Sequence, residues 1–487
     1  MRFIKYAFFF LVLLVLAFSP IQLRYSLLKE APLKGFYKHR EFPSLKFFTW
    51  RRWFPSAFQD EFSNCLNDNI GMRNSLIRLN NQFDYSLFSI IHNKGFIQGC
   101  ERYLYEEDYL HEYNGNSFIG EAVIYKKLAR LKNVIDSLNA HHIPLLLIYE
   151  PGKASFYPEY IPRRFHPEKR SQNNFDCFLQ YSHKLGLPFM DMNSYFQKVK
   201  DTSHYPLFPR YGMHWSIYGV SIAVDTLNKS IETATGRGMP KFKIQKVIQS
   251  PIPLGTDNDI GEMLNLACPL RPTPGAYPRI SFDTSPSRSL SALIIADSYY
   301  INIAEAYGRK LFRNQEYWYY NNKIYPYQNH NPPPYVDKSN LREKLKKFDV
   351  ILLMVSEINL HCGFWNFADE AFLAFHPEIR DDHVYTNENQ IRNERSWFKF
   401  LVQKAKSLDR PLDEMIRNDA EYTFFNNYNE IPEKIRQDSI IHLVLSIQNN
   451  GEWLSAIRKK ALERNVSLDT MLYRDANYLY DQSKQNH

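Results

Sequence analysis

The chain is poor in cysteine and keeps what it has far apart. Five of its 487 residues are cysteine (Cys65, Cys100, Cys177, Cys268 and Cys362), and no two form a C-x-x-C pair. Thiolate metal knots need closely spaced ligands, so the spacing argues against one; no metal and no other cofactor is expected. In an oxidising compartment some of the five can pair, but an odd number leaves at least one over. No lysine–arginine block exists either. The net charge of +8, with a pI near 8.9, is spread along the chain. Such diffuse charge suits an acidic glycan or a membrane surface as well as a nucleic acid, and no nucleic-acid partner is expected. Beyond the N-terminus there is no second long apolar run, and the mean hydropathy is −0.45. That excludes a polytopic membrane protein, while 44% hydrophobic residues exclude a disordered one.

The apolar run that is present lies at the start. Lys5 and Arg24 bracket Tyr6 to Leu23, 18 residues broken only by Ser19, Pro20 and Gln22. This is near the lower end of the roughly 17–25 residues that span a bilayer. No small-x-small cleavage site follows Ala17, so an uncleaved anchor over residues 1–24 is expected rather than a removed signal. Arg24, Lys29, Lys34 and Lys38 outweigh Arg2 and Lys5, against a simple positive-inside count. Long domains translocate largely regardless of such charges. The body is therefore expected in the periplasm or cell envelope, tethered to the inner membrane.

Aromatic residues make up 15% of the chain, with 33 Tyr, 35 Phe and 7 Trp. They suit a carbohydrate-facing surface, where rings stack on sugars, and equally an aromatic core. Residues 25–120 read as an irregular, aromatic-rich lead segment. Its clear helix runs from Ala57 towards Asn80, with Phe58, Phe62, Leu66 and Ile70 at helical spacing and a turn at Gly71.

From 121 to 375 helix and strand alternate. Ala122–Ala140, Phe175–Leu185, Ser216–Thr233 and Ile301–Phe312 read as helices. Ile143–Tyr149, Pro188–Asp191, Leu293–Ala296 and Val350–Val355 read as short apolar strands. This pattern indicates an α/β domain with a parallel sheet covered on both faces. Sites in such folds lie at the carboxyl ends of strands, where Glu150, Asp191, Ser298, Glu357 and Asn359 fall. Residues 239–290, rich in Pro and Gly, read as an insertion with its own short strands.

Residues 376–487 hold an internal duplication. Trp397, Lys404, Leu412, Asp413, Met415, Asp419, Ala420 and Tyr422 recur as Trp453, Lys460, Leu468, Asp469, Met471, Asp475, Ala476 and Tyr478, always 56 residues on. Each copy reads as a helix, a short turn and a second helix, burying its Trp and Leu face against its twin. The expected role is packing and contact with a protein partner.

Two stretches carry candidate chemistry. In Ile294-Ile295-Ala296-Asp297-Ser298-Tyr299 a serine follows a strand and precedes a helix. A serine at such a turn exposes its hydroxyl beside helix N-terminal amides able to hold an oxyanion. In Gly212-Met213-His214-Trp215-Ser216 a histidine is available as its general base. Ser298 and His214 are the candidate catalytic pair; the Ser298 amide, Asn359, Trp215 and Tyr299 are candidates for oxyanion or substrate contacts.

With these motifs in place, roughly residues 45–375 resemble the alginate O-acetyltransferase (AlgX/AlgJ-like) group of SGNH-hydrolase-like envelope proteins. The likeness rests on Phe58-Gln59-x-x-Phe62, Asn69-Ile70-Gly71-Met72-Arg73, Asn80 and Gly99-x-x-x-Tyr103-Leu104-Tyr105. It continues through Pro151-Gly152-Lys153 and Tyr157-Pro158-Glu159-Tyr160-Ile161-Pro162 to His214-Trp215-Ser216 and Asp297-Ser298-Tyr299. Histidine before serine matches the circularly permuted order of that group. The resemblance implies a three-layer SGNH-like fold and transfer of acetyl groups to an exported polysaccharide, with the acetyl donor supplied through a membrane-bound acyltransferase. The group's pattern is Asp-x-His-Trp, and here the aspartate position is Gly212. Asp191 and Glu150, on neighbouring strand tips, are the candidates to orient His214 instead. The competing readings are a catalytically degenerate glycan-binding or scaffold protein, or a carbohydrate acetylesterase.

Overall fold

A computed structural model describes residues 2–35, 56–166, 170–283, 290–330, 333–338, 340–376, 383–427, 440, 443–444, 446–448, 450–464 and 466–485. The strands in chain order are β1 (Phe96–Gln98), β2 (Leu104–Glu106), β3 (Leu145–Glu150), β4 (Phe189–Asp191) and β5 (Phe242–Ser250). They continue as β6 (Gly275–Phe282), β7 (Ser291–Ala296), β8 (Asn314–Tyr319), β9 (Lys323–Tyr325) and β10 (Val350–Ser356). The chain divides into two compact units, each built from discontinuous segments. One comprises Met1–Glu107, Phe208–Ser216 and Gln249–Ala276; the other comprises Asp108–Leu207, Ile217–Ile248 and Tyr277–His487. The division thus cuts across the 239–290 insertion read from composition.

The larger unit is built on a six-stranded sheet in the order β4-β3-β10-β7-β8-β9. All neighbours pair parallel except β8 and β9, so the expected parallel sheet carries one antiparallel edge strand. Side chains alternate between faces along a strand. Leu145, Leu147 and Tyr149 of β3, Leu293 and Ile295 of β7, and Ile351, Leu353 and Val355 of β10 join one cluster. That cluster includes Ile124, Leu128, Leu131 and Ile135 of the helix Glu121–Asn139, with Phe175 and Phe178 of Asn174–Lys184. The intervening residues Ile148, Ala292, Ile294, Leu352 and Met354 are just as inaccessible, so the opposite face is covered too. Each fully buried Leu or Ile contributes about 1.5–3 kcal/mol, which is why these three strands read as unbroken apolar runs. The architecture is the SGNH-like mixture of a mostly parallel sheet and helices.

The duplication is present as the helix pairs Arg395–Leu408 with Leu412–Asn427 and Gly451–Glu463 with Leu468–Gln485. The copies do not bury their faces mainly against one another. Phe398, Leu401, Ile416 and Ala420 of the first belong to the main α/β core. Ile457, Ala461, Met471 and Ala476 of the second form a separate cluster with Ile440, Val444 and Ile447.

In the smaller unit the helices Ser56–Asn69 and Arg73–Phe88 meet at Gly71, where the expected turn occurs. A Cβ on Gly71 would stand 2.2 Å from the Ser19 carbonyl oxygen, so only glycine fits. Ser19 Oγ in turn donates to the Gly71 carbonyl at 2.9 Å. Ser19 lies on the helix Arg2–Tyr25, which covers the apolar N-terminal run and contains Pro20. Among the described residues no helix is long and apolar enough to cross a membrane. Cys177, Cys268 and Cys362 are free thiols.

Candidate active site

In the larger unit Asp297 and Ser298 occupy the turn between β7 and the helix Tyr299–Ile303. Asp297 is fully buried and gathers donors from three elements. Its Oδ1 accepts from the Tyr299 amide at 3.0 Å. Its Oδ2 accepts from the Ser356 amide (3.0 Å), Ser356 Oγ (2.6 Å) and Asn359 Nδ2 (2.8 Å). The Tyr317 phenol donates to its carbonyl. These bonds tie the end of β7 to the end of β10 and set the backbone of the following serine.

Ser298 is half-buried and has right-handed helical dihedrals (φ −65°, ψ −16°). Its side chain makes no helix-capping bond. Asp297 takes that task through the Tyr299 amide, which leaves the Ser298 hydroxyl outside the capping scheme. The Tyr320 phenol hydrogen-bonds the Ser298 side chain. Tyr320 follows β8 in a left-handed conformation (φ 52°), fixed by its amide to the Ala296 carbonyl at 2.9 Å. Burial and the Asp297 charge push this phenol well above its ordinary range, so it stays neutral. Nothing local in the sequence singles Tyr320 out from its aromatic neighbours.

Glu150, at the tip of β3, is also fully buried. Among the described residues no donor reaches either of its oxygens. Burial first, then the neighbouring Asp297 carboxylate, push its acid well above the ordinary carboxylate range. A protonated Glu150 donating to Asp297 satisfies both groups. Glu150 is therefore a structural proton holder in this unit. Asp191 is also occupied: its carboxylate caps the helix Met192–Val199 through the amide and hydroxyl of Ser194.

The other expected contacts have different tasks. Asn359 spends its amide hydrogens on Asp297 and on Ser356 Oγ at 3.0 Å, so it holds the turn rather than an oxyanion. Tyr299 is buried, with its phenol 3.3 Å from that of Tyr109. Trp215 is wholly buried and offers no ring face for a sugar to stack on. Glu357, another strand-tip acid, accepts from the Gly152 amide at 3.2 Å and from Ser155 Oγ and Asn193 Nδ2. Burial pushes it up to about 7.

His214 belongs to the smaller unit, and the acid facing it there is Asp259, a residue the sequence did not single out. His214 Nδ1 stands 2.9 Å from Asp259 Oδ2. Asp259 Oδ1 accepts from the amides of Met213 (2.9 Å) and Ile260 (2.7 Å). Asp259 opens the short helix Asp259–Met263, which is pinned by the Gly261 amide to the Tyr211 carbonyl at 3.0 Å. Below it Tyr211, Ile260, Leu264, Tyr85 and Leu104 form a common apolar cluster. The carboxylate accepts, so Nδ1 carries the hydrogen and Nε2 keeps its lone pair, the tautomer a general base requires. Neither Asp191 nor Glu150, both of the larger unit and both engaged there, is the partner of Nδ1. Among the described residues no cluster of potential metal ligands occurs.

Residues 96–298, the interval that holds both candidate motifs, match the family model for the SGNH hydrolase-like domain of acetyltransferase AlgX. No curated protein matches the sequence. Among solved structures, the O-acetyltransferase domain of Pseudomonas putida AlgJ is similar at 17% identity, over 55% of this chain and 92% of that one, with a TM-score of 0.38. Pseudomonas aeruginosa AlgX is similar at 13% identity, over 58% and 67%, with a TM-score of 0.38. Bacillus cereus PatB1 is similar at 9% identity, over 54% and 96%, with a TM-score of 0.35. Superpositions this loose leave the weight on the sequence match. Residues 96–298 are thus similar to the SGNH hydrolase-like domain of AlgX-type acetyltransferases, the group that the sequence motifs resemble.

Proposed function

We propose that the protein is an O-acetyltransferase that acetylates an exported polysaccharide through Ser298 and His214. Ser298 Oγ attacks the carbonyl of an acetyl ester while His214 Nε2 takes the hydroxyl proton. The C–O bond to the donor alcohol breaks, and the departing oxygen receives that proton. A sugar hydroxyl then attacks the acetyl-serine, gives its proton to His214, and the proton returns to Ser298. The backbone amide at the serine turn and the neutral Tyr320 phenol are the candidate donors to the oxyanion.

The observation that carries this reading is a strand-to-helix serine whose hydroxyl is not used as a cap, inside the matched family region. The carboxylate on His214 Nδ1 adds support over the degenerate alternative, since binding a glycan needs no fixed imidazole tautomer. Location and partners extend the proposal. Phe3, Ile4, Phe9, Phe10 and Leu14 are exposed along Arg2–Tyr25, as apolar residues facing lipid would be. An inner-membrane tether would hold the body in the periplasm, near a membrane-bound acetyl donor. Trp453, Leu462 and Tyr478 are exposed on the second repeat and are the proposed contact with a protein partner.

The test is hydrolysis of an acetyl-ester substrate by the wild-type chain and by Ser298→Ala and His214→Ala. Both variants are expected to lose turnover while melting normally. Equal rates in wild type and Ser298→Ala would end the enzymatic reading.

A further inference from the structure

The aspartate that the Asp-x-His-Trp pattern puts two residues before the histidine is missing, and the structure accounts for the gap sterically. A Cβ on Gly212 would stand 2.3 Å from the Thr256 carbonyl oxygen, 2.7 Å from Pro209 Cγ and 3.1 Å from the Asp257 carbonyl carbon. Two of those neighbours are backbone and cannot swing aside. The segment that occupies this space runs from Leu254 through the one-turn helix Gly255–Asn258 into the helix opened by Asp259. Its first turn is closed by the Asp257 amide on the Leu254 carbonyl (3.2 Å), and its far end is tied to the stretch of chain before His214 by the Gly261 amide on the Tyr211 carbonyl. A side chain at 212 and this segment exclude each other. The same segment delivers a carboxylate to His214.

We infer that Asp259 is the positioning acid of His214, supplied in trans-sequence by the loop that glycine at 212 makes room for. The geometry is that of an orienting acid rather than a chance ion pair. One oxygen is held by the Met213 and Ile260 amides, one residue either side of the two residues it joins. The other is thereby aimed at Nδ1. The imidazole is almost buried, with 11% of its side chain exposed against 20% for the carboxylate, so water competes weakly for Nδ1. Asp259 touches no reacting atom in this scheme; it fixes the ring and its tautomer, and stabilises the imidazolium that forms when Ser298 is deprotonated. The inference rests on the Ser298–His214 reading above, and one of its readouts is independent of turnover.

The test compares full-length Asp259→Asn, Asp259→Glu and the double variant Gly212→Asp/Asp259→Asn. Nitrogen chemical shifts of His214, recorded in a Ser298→Ala background, report the tautomer without any catalysis. The parent is expected to hold the proton on Nδ1, and Asp259→Asn to give a mixture of tautomers. With p-nitrophenyl acetate, Asp259→Asn is expected to lower kcat towards the roughly 10⁴-fold loss of the serine-protease case, with KM within about twofold. Asp259→Glu should restore part of kcat. The double variant should restore none, because an aspartate at 212 displaces the 254–259 segment. Asparagine keeps an oxygen for the Met213 and Ile260 amides, so Asp259→Asn should melt as the parent does; if it does not, Asp259→Glu carries the comparison. An unchanged tautomer, or an unchanged kcat in an active parent, overturns the inference. Absence of Ser298-dependent turnover in the parent would instead remove the functional reading, while the tautomer measurement would still decide the role of Asp259.

Discussion

Glu150 and Asp297 form a wholly buried pair of carboxyl groups at the tips of β3 and β7 on either side of β10, and burial together with Asp297 raises the Glu150 acid well above the ordinary carboxylate range. The two acids are not equivalent. Asp297 accepts from Tyr299, Ser356 and Asn359, whereas Glu150 has only Asp297 to address. Glutamine at 150 keeps a donor for Asp297, so Glu150→Gln should change stability by less than about 1 kcal/mol. Asparagine at 297 turns an acceptor into a donor facing buried donors, and Asp297→Asn should cost about 3 kcal/mol or more. Chemical denaturation of the two variants gives both numbers. Equal costs would contradict a Glu150 that is kept neutral by burial.

How much of this was legible beforehand varied with the physics of each element. β3, β7 and β10 are buried on both faces, so their sequences are continuous apolar runs and their limits were readable within two residues. β8 was not readable: Asn314–Tyr319 begins with three polar residues, and only Tyr317 and Trp318 are buried. The serine turn could be placed because strand, serine and helix are contiguous. Asp259 could not be, since it lies 45 residues beyond His214 in a segment whose composition says only that it turns often. Gly212 was visible as a departure. Its cause, a close approach of the Thr256 carbonyl, exists only in three dimensions.

Stability should depend on pH with an unusual sign. Burial holds Glu357 and Glu112 at about 7, above their ordinary value of 4.5. In the unfolded chain both lose their protons near 4.5, while the folded protein keeps them to about 7. The folded state therefore binds more protons throughout this window, and stability falls as pH rises through it. Each group can contribute at most about 3–4 kcal/mol, from 1.36 kcal/mol per pKa unit. Denaturation midpoints measured from pH 5 to pH 8 should decline, and Glu357→Gln should flatten the curve. A midpoint that rises over this range would contradict the assignment.

Tyr320 offers a separate handle on the serine. Its phenol hydrogen-bonds the Ser298 side chain and is kept neutral by burial and by Asp297. Tyr320→Phe removes one donor and leaves the ring. The expected result is a loss of kcat of about 10²-fold or more if the phenol serves the oxyanion, by analogy with removal of one oxyanion-hole donor. Thermal stability should change little. A fall in stability without a fall in kcat would assign Tyr320 to packing alone.

The duplicated helices give the last prediction, because equivalent residues have taken different work. Trp397 Nε1 donates to Asp419 Oδ2 at 2.7 Å, and the ring packs on the main core. In the second copy Lys460 Nζ takes the equivalent Asp475 at 2.7 Å, and Trp453 is 37% exposed. The acids that open the second helices of each pair differ as well. Asp413 binds Arg392 Nη2 at 2.7 Å, while Asp469, raised by burial, faces Arg130, His376 and Lys126. Removing a packed indole with its hydrogen bond costs about 3 kcal/mol, somewhat less where the ring is only half-buried. Surface substitutions usually stay within about 0.5 kcal/mol. Trp397→Ala should therefore destabilise the α/β domain by about 2–3 kcal/mol, and Trp453→Ala by less than about 1 kcal/mol. If the second copy is the proposed partner surface, Trp453→Ala should weaken association of the full-length protein with that partner while leaving acetyl-ester turnover intact. Equal destabilisation by the two substitutions would show instead that both copies carry the fold alike.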